Sequence, residues 1–325
     1  MPVVTKTEKL NFLRSIFGQL YTGRDGKNVA ALCPACRARG NSNSCGTKKK
    51  LIIQLDTDES HCWVCGWSSR SLLSLIRKFG SLEQFREYKE RFVGTTTASA
   101  DEFFTEQQKN VDLPVDFKLV VLASSRDPDA NAVRRYLKSR NVDESDIWRY
   151  RLGVSNESKW ARRVMIPSFM KSGALNYYIG RAIDRNVRPK YDNVDAKKTD
   201  IVFNDINIDW TKPLTVCEGP FDVFKAGENA TCLLGSELNE SHILFDSIVT
   251  HNTPIVLSLD DDMTDKTERI ARKLIEYDVN VRIVDLNGHH DPGSMSKEEF
   301  KMLIDNAGEW SWNSSLKRRL NSLAV

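Results

Sequence analysis

The chain has 325 residues, with 47 Lys and Arg against 44 Asp and Glu, a net charge of +3. The first thirty residues carry Lys6, Glu8, Lys9, Arg14, Arg24, Asp25 and Lys27 and no apolar signal core, and no apolar run nears the roughly 18 residues a membrane helix needs. These features argue against a membrane or exported protein and predict a cytoplasmic one, in a host cytoplasm if the gene is viral, with a chain long enough for two hydrophobic cores.

In chain order, Leu10, Phe12, Leu13, Ile16, Phe17 and Leu20 recur at helical spacing, predicting an amphipathic helix over Lys6 to Tyr21. Asn28 to Leu32 and Leu51 to Leu55 are β-prone, and each precedes a C-x-x-C pair: Cys33-Pro34-Ala35-Cys36 and Cys62-Trp63-Val64-Cys65, separated by 25 residues. Seven cysteines without a secretion signal favour metal over disulfides. Two such knuckles present four thiolates to one structural zinc ion, which also supplies folding energy a small domain lacks. Cys45 falls in a polar loop and is not counted as a ligand, while His61 is a less favoured substitute for a cysteine. Around the knuckles, Arg37, Arg39 and Lys48 to Lys50 offer phosphate contacts, and Trp63 and Trp67 offer stacking surfaces for unpaired bases, although packing within the ribbon competes for at least one tryptophan.

Ser71 to Phe79 reads as a helix, and the Thr-, Ser- and Gln-rich stretch from 94 to 112 as a linker. Beyond it come a helix over Ala130 to Arg140 and strands at Arg163 to Ile166 and Leu175 to Ile179. Leu214 to Cys217, Ile255 to Leu259 and Val279 to Asp285 are apolar runs of the kind buried in parallel sheets, with helical segments at Asp222 to Glu228 and Asp265 to Tyr277. Charge divides along this path: residues 1–95 hold 16 basic against 8 acidic side chains, 149–191 hold 10 against 2, and 201–293 hold 7 against 17. An acidic segment thus follows a basic one, as a site gathering divalent cations beside a polyanion-binding surface would require.

The acids sit at strand ends. Glu218 follows Leu214 to Cys217, with Gly219 permitting a turn and Asp222 either facing the same cleft or capping the next helix. Asp260-Asp261-Asp262 ends the second run, and Asp291 lies beyond the third. Carboxylates gathered at one sheet edge repel one another unless divalent cations neutralise them, and magnesium, or manganese, suits their hard oxygens.

These motifs in this order resemble the DnaG-type primases. The likeness runs through nearly the whole chain: the four-cysteine ribbon, then Ala132 to Arg140 through Tyr150-Arg151-Leu152-Gly153, then Arg163-Val164-Met165-Ile166-Pro167, Gly180-Arg181 and Pro189-Lys190-Tyr191, then Glu218-Gly219 with Asp222 and Asp260-x-Asp262 in the TOPRIM pattern. The four-cysteine ribbon and short length look most like the T-even-type phage members. The resemblance implies an α+β chain of a zinc-ribbon domain (1–93), a linker (94–112), a basic α+β subdomain (113–209), a TOPRIM α/β parallel-sheet subdomain (210–293) and a helical tail (294–325). It further implies RNA primer synthesis on single-stranded DNA from ribonucleoside triphosphates, and contact with a replicative helicase. Glu218, Asp260 and Asp262 are the implied catalytic acids, Asp222 and Asp291 further magnesium ligands, and Arg163, Arg181, Lys190 and Tyr191 the implied nucleotide and template contacts. The aspartate run lacks the glycines the family usually carries there, which leaves open which of Asp260, Asp261 and Asp262 bind metal. A TOPRIM nuclease and a non-catalytic single-stranded DNA-binding module remain the alternative readings.

Overall fold

The structure is a computed structural model that describes residues 5–38, 48–93, 111–235, 237–260, 263–286 and 295–316. The chain groups into two compact units. The first joins Met1–Phe104 to Leu238–Asn252 and Lys273–Val279, and the second holds Thr105–Glu237, Thr253–Arg272 and Asn280–Val325. Neither unit is continuous in sequence. The boundary expected near residues 210 and 293 does not describe this grouping, because two later segments pack with the N-terminal part.

In the first unit, α1 (Lys6–Phe17) starts at a capping box in which Thr5 and Glu8 satisfy each other's backbone N–H groups. A five-stranded antiparallel sheet follows in the order β1 (Tyr21–Thr22), β2 (Asn28–Ala31), β3 (Leu51–Gln54), β4 (Ser60–Cys62) and β5 (Ser68–Ser69). Between β2 and β3 lies the short α2 (Pro34–Ala38). Strict alternation buries Val29, Ala31, Leu51 and Ile53 on one face, against Phe12, Leu13 and helices α3 (Leu72–Phe79) and α4 (Leu82–Tyr88). Ser71 and Ser81 cap those two helices.

The second unit contains two further five-stranded sheets. One is antiparallel, with β10 (Tyr191–Asn193), β9 (Leu175–Ala182), β8 (Arg163–Phe169), β7 (Gly153–Val154) and β6 (Lys118–Leu119) in spatial order. Helices α5 (Pro128–Ser139) and α6 (Glu144–Arg149), each capped by an aspartate, precede its central strands. The last sheet runs β12 (Ala230–Cys232), β11 (Leu214–Cys217), β13 (Ile255–Ser258), β14 (Val281–Ile283) and β15 (Gly308–Glu309). The first four of these strands are parallel and β15 is antiparallel to β14. Every residue of β11, β12 and β13 is buried, as expected of a parallel sheet.

The remaining helices are α7 (Pro220–Val223), α8 (Ile243–His251), α9 (Thr264–Ile275) and α10 (Lys297–Asp305). The helix expected over Asp222 to Glu228 is reduced to the single turn of α7, and the chain reverses at Gly227, whose φ is +98°. The C-terminal segment adds a strand as well as the expected helix. Trp310 donates its indole N–H to Glu268 over 2.7 Å and anchors that strand. No helix among the described residues is long and apolar enough to cross a membrane.

Candidate nucleic-acid and metal sites

The four knuckle cysteines converge. Cys33 follows β2, Cys36 lies in α2, Cys62 ends β4, and Cys65 sits in the turn that Gly66 closes at φ +72° by donating to the Cys62 carbonyl. All four sulfurs lie within 4.8 Å of one another, with Cys33 and Cys65 3.8 Å apart and Cys36 and Cys62 3.6 Å apart. Tetrahedral zinc with Zn–S bonds of about 2.3 Å places its sulfurs about 3.8 Å apart, so this set suits one structural zinc ion. Burial pushes the Cys33 thiol up to about 12. Burial works against ionisation of the Cys62 thiol, but hydrogen bonds from the N–H groups of Cys65 and Val64 and from the Cys65 and Cys33 side chains together hold it below its ordinary value. His61 turns its ring to the indole of Trp63 at 4.8 Å and is not in the sulfur cluster.

The stacking candidates separate clearly. Trp63 is 74% exposed, whereas Trp67 is 7% exposed, packs edge-on against Phe79 at 4.8 Å and donates to the Tyr277 hydroxyl. Trp67 is therefore a core residue, and its assignment to template contact is corrected. Lys48 is exposed. The backbone of Arg37 belongs to α2, and Arg39 lies outside the described residues.

At the C-terminal edge of the parallel sheet, Glu218, Asp260 and Asp285 extend from the adjacent strands β11, β13 and β14. Glu218 Oε2 is buried without a hydrogen-bond partner among the described residues. The neighbouring Asp222 accepts from the Gly219 N–H at 2.9 Å and so closes the turn onto α7. Burial holds the Cys217 thiol well above its ordinary value, with the charges of Asp222, Cys232 and Asp260 adding to the effect. The carboxylates of Asp222 and Asp260 thus both act on Cys217, the last residue of β11. Carboxylate oxygens are the hard donors that divalent cations favour, and among the described residues the four cysteines are the group of three or more ligating side chains whose donor atoms converge. Asp261, Asp262 and Asp291 lie outside the described residues.

The basic candidates also divide. Arg181 in β9 stands opposite Tyr191 in the β9–β10 register. Its guanidinium lies 4.5 Å from the centroid of the Tyr191 ring and 5.8 Å from that of Phe221, three residues past Glu218. Burial pushes the Tyr191 hydroxyl up to about 12, with Arg181 pulling it down and the Asp222 charge pushing it further up. Lys190 is exposed. Arg163 differs: it is 4% exposed and donates to the carbonyls of Gly180, Pro189 and Lys159 at 3.1, 3.0 and 3.2 Å. Its guanidinium is committed to backbone, which corrects its assignment as a phosphate contact.

Two residues outside the candidate set join this cluster. Arg140 places its guanidinium 5.6 Å from the Phe221 centroid, and Tyr136 meets the same ring edge-on at 6.0 Å. Their i, i+4 spacing at the end of α5 was the available signal.

No family model matches the chain, and no curated protein matches it. Among solved structures, the zinc-binding and RNA polymerase domains of the Aquifex aeolicus primase align over 94% of this chain and 86% of that one, with a TM-score of 0.50 and 17% identity. The chain has a primase fold. The Escherichia coli primase catalytic core aligns over 62% of this chain and 79% of that one, at 21% identity and a TM-score of 0.47. A DnaG primase catalytic domain bound to single-stranded DNA gives 62%, 77%, 21% and 0.48 for the same measures. The α+β primase architecture, ribbon first and parallel-containing sheet last, is thus the one expected from the ordered motifs.

Proposed function

We propose that this protein is a DNA primase, a nucleotidyltransferase that joins ribonucleotides into short primers on a single-stranded DNA template. The observation that carries the reading is the buried Oε2 of Glu218, without a hydrogen-bond partner among the described residues, at the edge where Asp260 and Asp285 also emerge from adjacent parallel strands. Such an oxygen costs on the order of 1–3 kcal/mol to leave unsatisfied, so a partner recruited during function would recover that energy. Glu218, Asp222 and Asp260, with Asp262 and Asp291, would hold magnesium or manganese ions. Bound divalent ions supply Lewis-acid stabilisation of the reacting phosphate and of the leaving pyrophosphate.

The chain's own groups perform the rest. Asp222 fixes the Gly219 turn and thereby the direction in which Glu218 leaves its strand. Arg181, kept flat by Tyr191 and Phe221, presents its guanidinium beside that turn, where it would neutralise phosphate oxygens of a bound triphosphate. Lys190, exposed just before β10, would add positive charge along the template strand. The ribbon would engage the template through Lys48 and Trp63, and Arg37 and Arg39 belong to the same proposal. The resemblance extends the reading to a replicative helicase as partner and to the cytoplasm as location.

The test is direct. The zinc-loaded protein is incubated with a randomised single-stranded template, magnesium and labelled ribonucleoside triphosphates, and products are resolved by length. Short oligoribonucleotides from the wild type, lost in Glu218→Gln while single-stranded DNA binding persists, are the expected result. Undiminished synthesis by Glu218→Gln would overturn the assignment of that carboxylate, and template cleavage in place of synthesis would favour the nuclease reading.

A further inference from the structure

The turn that follows Glu218 winds on past the end of α7. The N–H groups of Lys225 and Ala226 both donate to the Asp222 carbonyl, at 3.0 and 2.9 Å, which sets Lys225 one helical turn beyond Phe221. Residues spaced i, i+4 share a helix face, and this pair shares a neighbour. Phe221 meets Tyr136 edge-on at 6.0 Å and lies 5.6 Å from the Arg140 guanidinium, while Lys225 Nζ donates to the Asn141 carbonyl at 2.6 Å. Asn141 is the left-handed residue, at φ +52°, at which the chain turns out of α5. The end of α5 is therefore held at two points by the segment that carries the acids.

Lys225 is 1% exposed. Burial holds its ammonium below the ordinary value, with Lys297 and Arg140 adding to the effect and Asp146 and Asp143 opposing it. Both of those aspartates are engaged by Lys297 of α10, at 2.7 Å each. A methionine stem would fill the same space without the penalty of burying a charge. What the ammonium adds is a fixed hold on the residue that follows Arg140. Arg140 and Arg181 lie on the one Phe221 ring, at 5.6 and 5.8 Å, and Arg181 Nε is buried without a hydrogen-bond partner among the described residues. Two guanidiniums placed around a single ring beside the Gly219 turn offer a fork for a polyphosphate.

We propose that Lys225 is a positioning residue for the incoming nucleotide: its ammonium fixes Asn141, and through it Arg140, so that Arg140 joins Arg181 on the phosphates of a nucleoside triphosphate. Lys225 itself is covered and touches no phosphate. The inference rests on the primase reading for the identity of that ligand.

Titration of the full, zinc-loaded chain with a fluorescent ATP analogue in magnesium tests it without catalysis. Lys225→Met is expected to weaken triphosphate binding by about 5- to 20-fold, with Lys225→Arg, which keeps a charged donor, recovering most of the loss. In primer synthesis the same variant raises KM for ribonucleoside triphosphates by a similar factor and leaves kcat within about twofold. Arg140→Ala reproduces the loss, and adding Lys225→Met to it costs less than about a further twofold, because the lysine acts through the arginine. A lysine that only stabilised the fold would lower the thermal midpoint and leave these ratios unmoved. Retained zinc content and an unchanged circular dichroism spectrum show that each variant is folded, and Lys225→Gln, whose amide is one bond shorter, replaces Lys225→Met if the latter does not fold. Wild-type triphosphate affinity in the folded variant, or losses in Lys225→Met and Arg140→Ala that multiply, overturns the positioning role. Weakened single-stranded DNA binding with triphosphate affinity intact also overturns it, in favour of a template contact. A wild type that binds the triphosphate but makes no primer sinks the primase reading alone, and one that primes while Lys225→Met binds triphosphate normally sinks the positioning role alone.

Discussion

Arg163 Nη1 donates to the carbonyl oxygen of Gly180 at 3.1 Å from inside the β8–β9 layer, where both residues are covered. A guanidinium buried this way acts as a backbone clamp, since the same group also holds the Pro189 and Lys159 carbonyls. Arg163→Ala is expected to leave those acceptors short of donors and to cost on the order of 3 kcal/mol in a denaturant titration. Arg163→Lys recovers only part, because an ammonium cannot reproduce the planar fork. Native stability in Arg163→Ala combined with loss of activity would show that the arginine faces substrate after all.

Zinc removal should unfold the ribbon selectively. A strong chelator, or Cys62→Ser, is expected to abolish the bound zinc measured by atomic spectroscopy and to open residues 48–93 to proteolysis, since metal binding contributes folding energy there. A ribbon that resists protease equally well with and without metal contradicts this.

Asp246 is fully buried and accepts from the hydroxyls of Ser71, at 2.6 Å, and Ser74. Burial raises its carboxyl above the ordinary 3.8, against the lowering effect of the two serines. The sign follows: a folded value above the unfolded one means stability that is present below the unfolded value and is lost as pH rises through the folded one. Asp246→Asn keeps an oxygen acceptor and cannot ionise. The urea midpoint of the wild type should therefore fall relative to Asp246→Asn as pH is raised from about 4 towards neutrality. Parallel pH profiles for the two proteins would refute the assignment.

The Trp310 indole and the Ser315 hydroxyl both donate to Glu268 Oε2, at 2.7 and 2.5 Å, with all three residues buried. Trp310→Phe preserves most of the packing and removes one donor, so a loss of about 1–3 kcal/mol is expected by thermal unfolding. Ser315→Ala should add less than its separate cost when combined with Trp310→Phe, because the two share one acceptor.

The parts of this fold that were legible in sequence are those specified locally. The C-x-x-C pairs encode their own turn geometry, and the apolar runs of β11 and β13 are long enough to announce buried strands. The three-residue β12 and the two-residue β15 carry no such signature, since β15 is defined by pairing of Gly308 and Glu309 with β14 rather than by its side chains. Arg163 was misassigned for a related reason. Six consecutive residues of β8 are buried, so the strand lacks the in-out alternation that would have shown which way the arginine points. The cleft on the outer face of the ribbon sheet was equally hidden: Asn28, Gln54, Glu59 and Ser241 become neighbours only through β pairing and through a segment that folds back from far along the chain.

That returning chain has a practical bearing on dissection. The N-terminal unit recruits Leu238–Asn252 and Lys273–Val279, and through them Asp246, Tyr277 and Asp278 meet Ser71, Trp67 and Arg77. A gene split at the compositional linker would sever covalent continuity between halves of one folding unit. Each fragment would expose sticky, half-solvated surface, and the ribbon half would need its missing pieces supplied in trans.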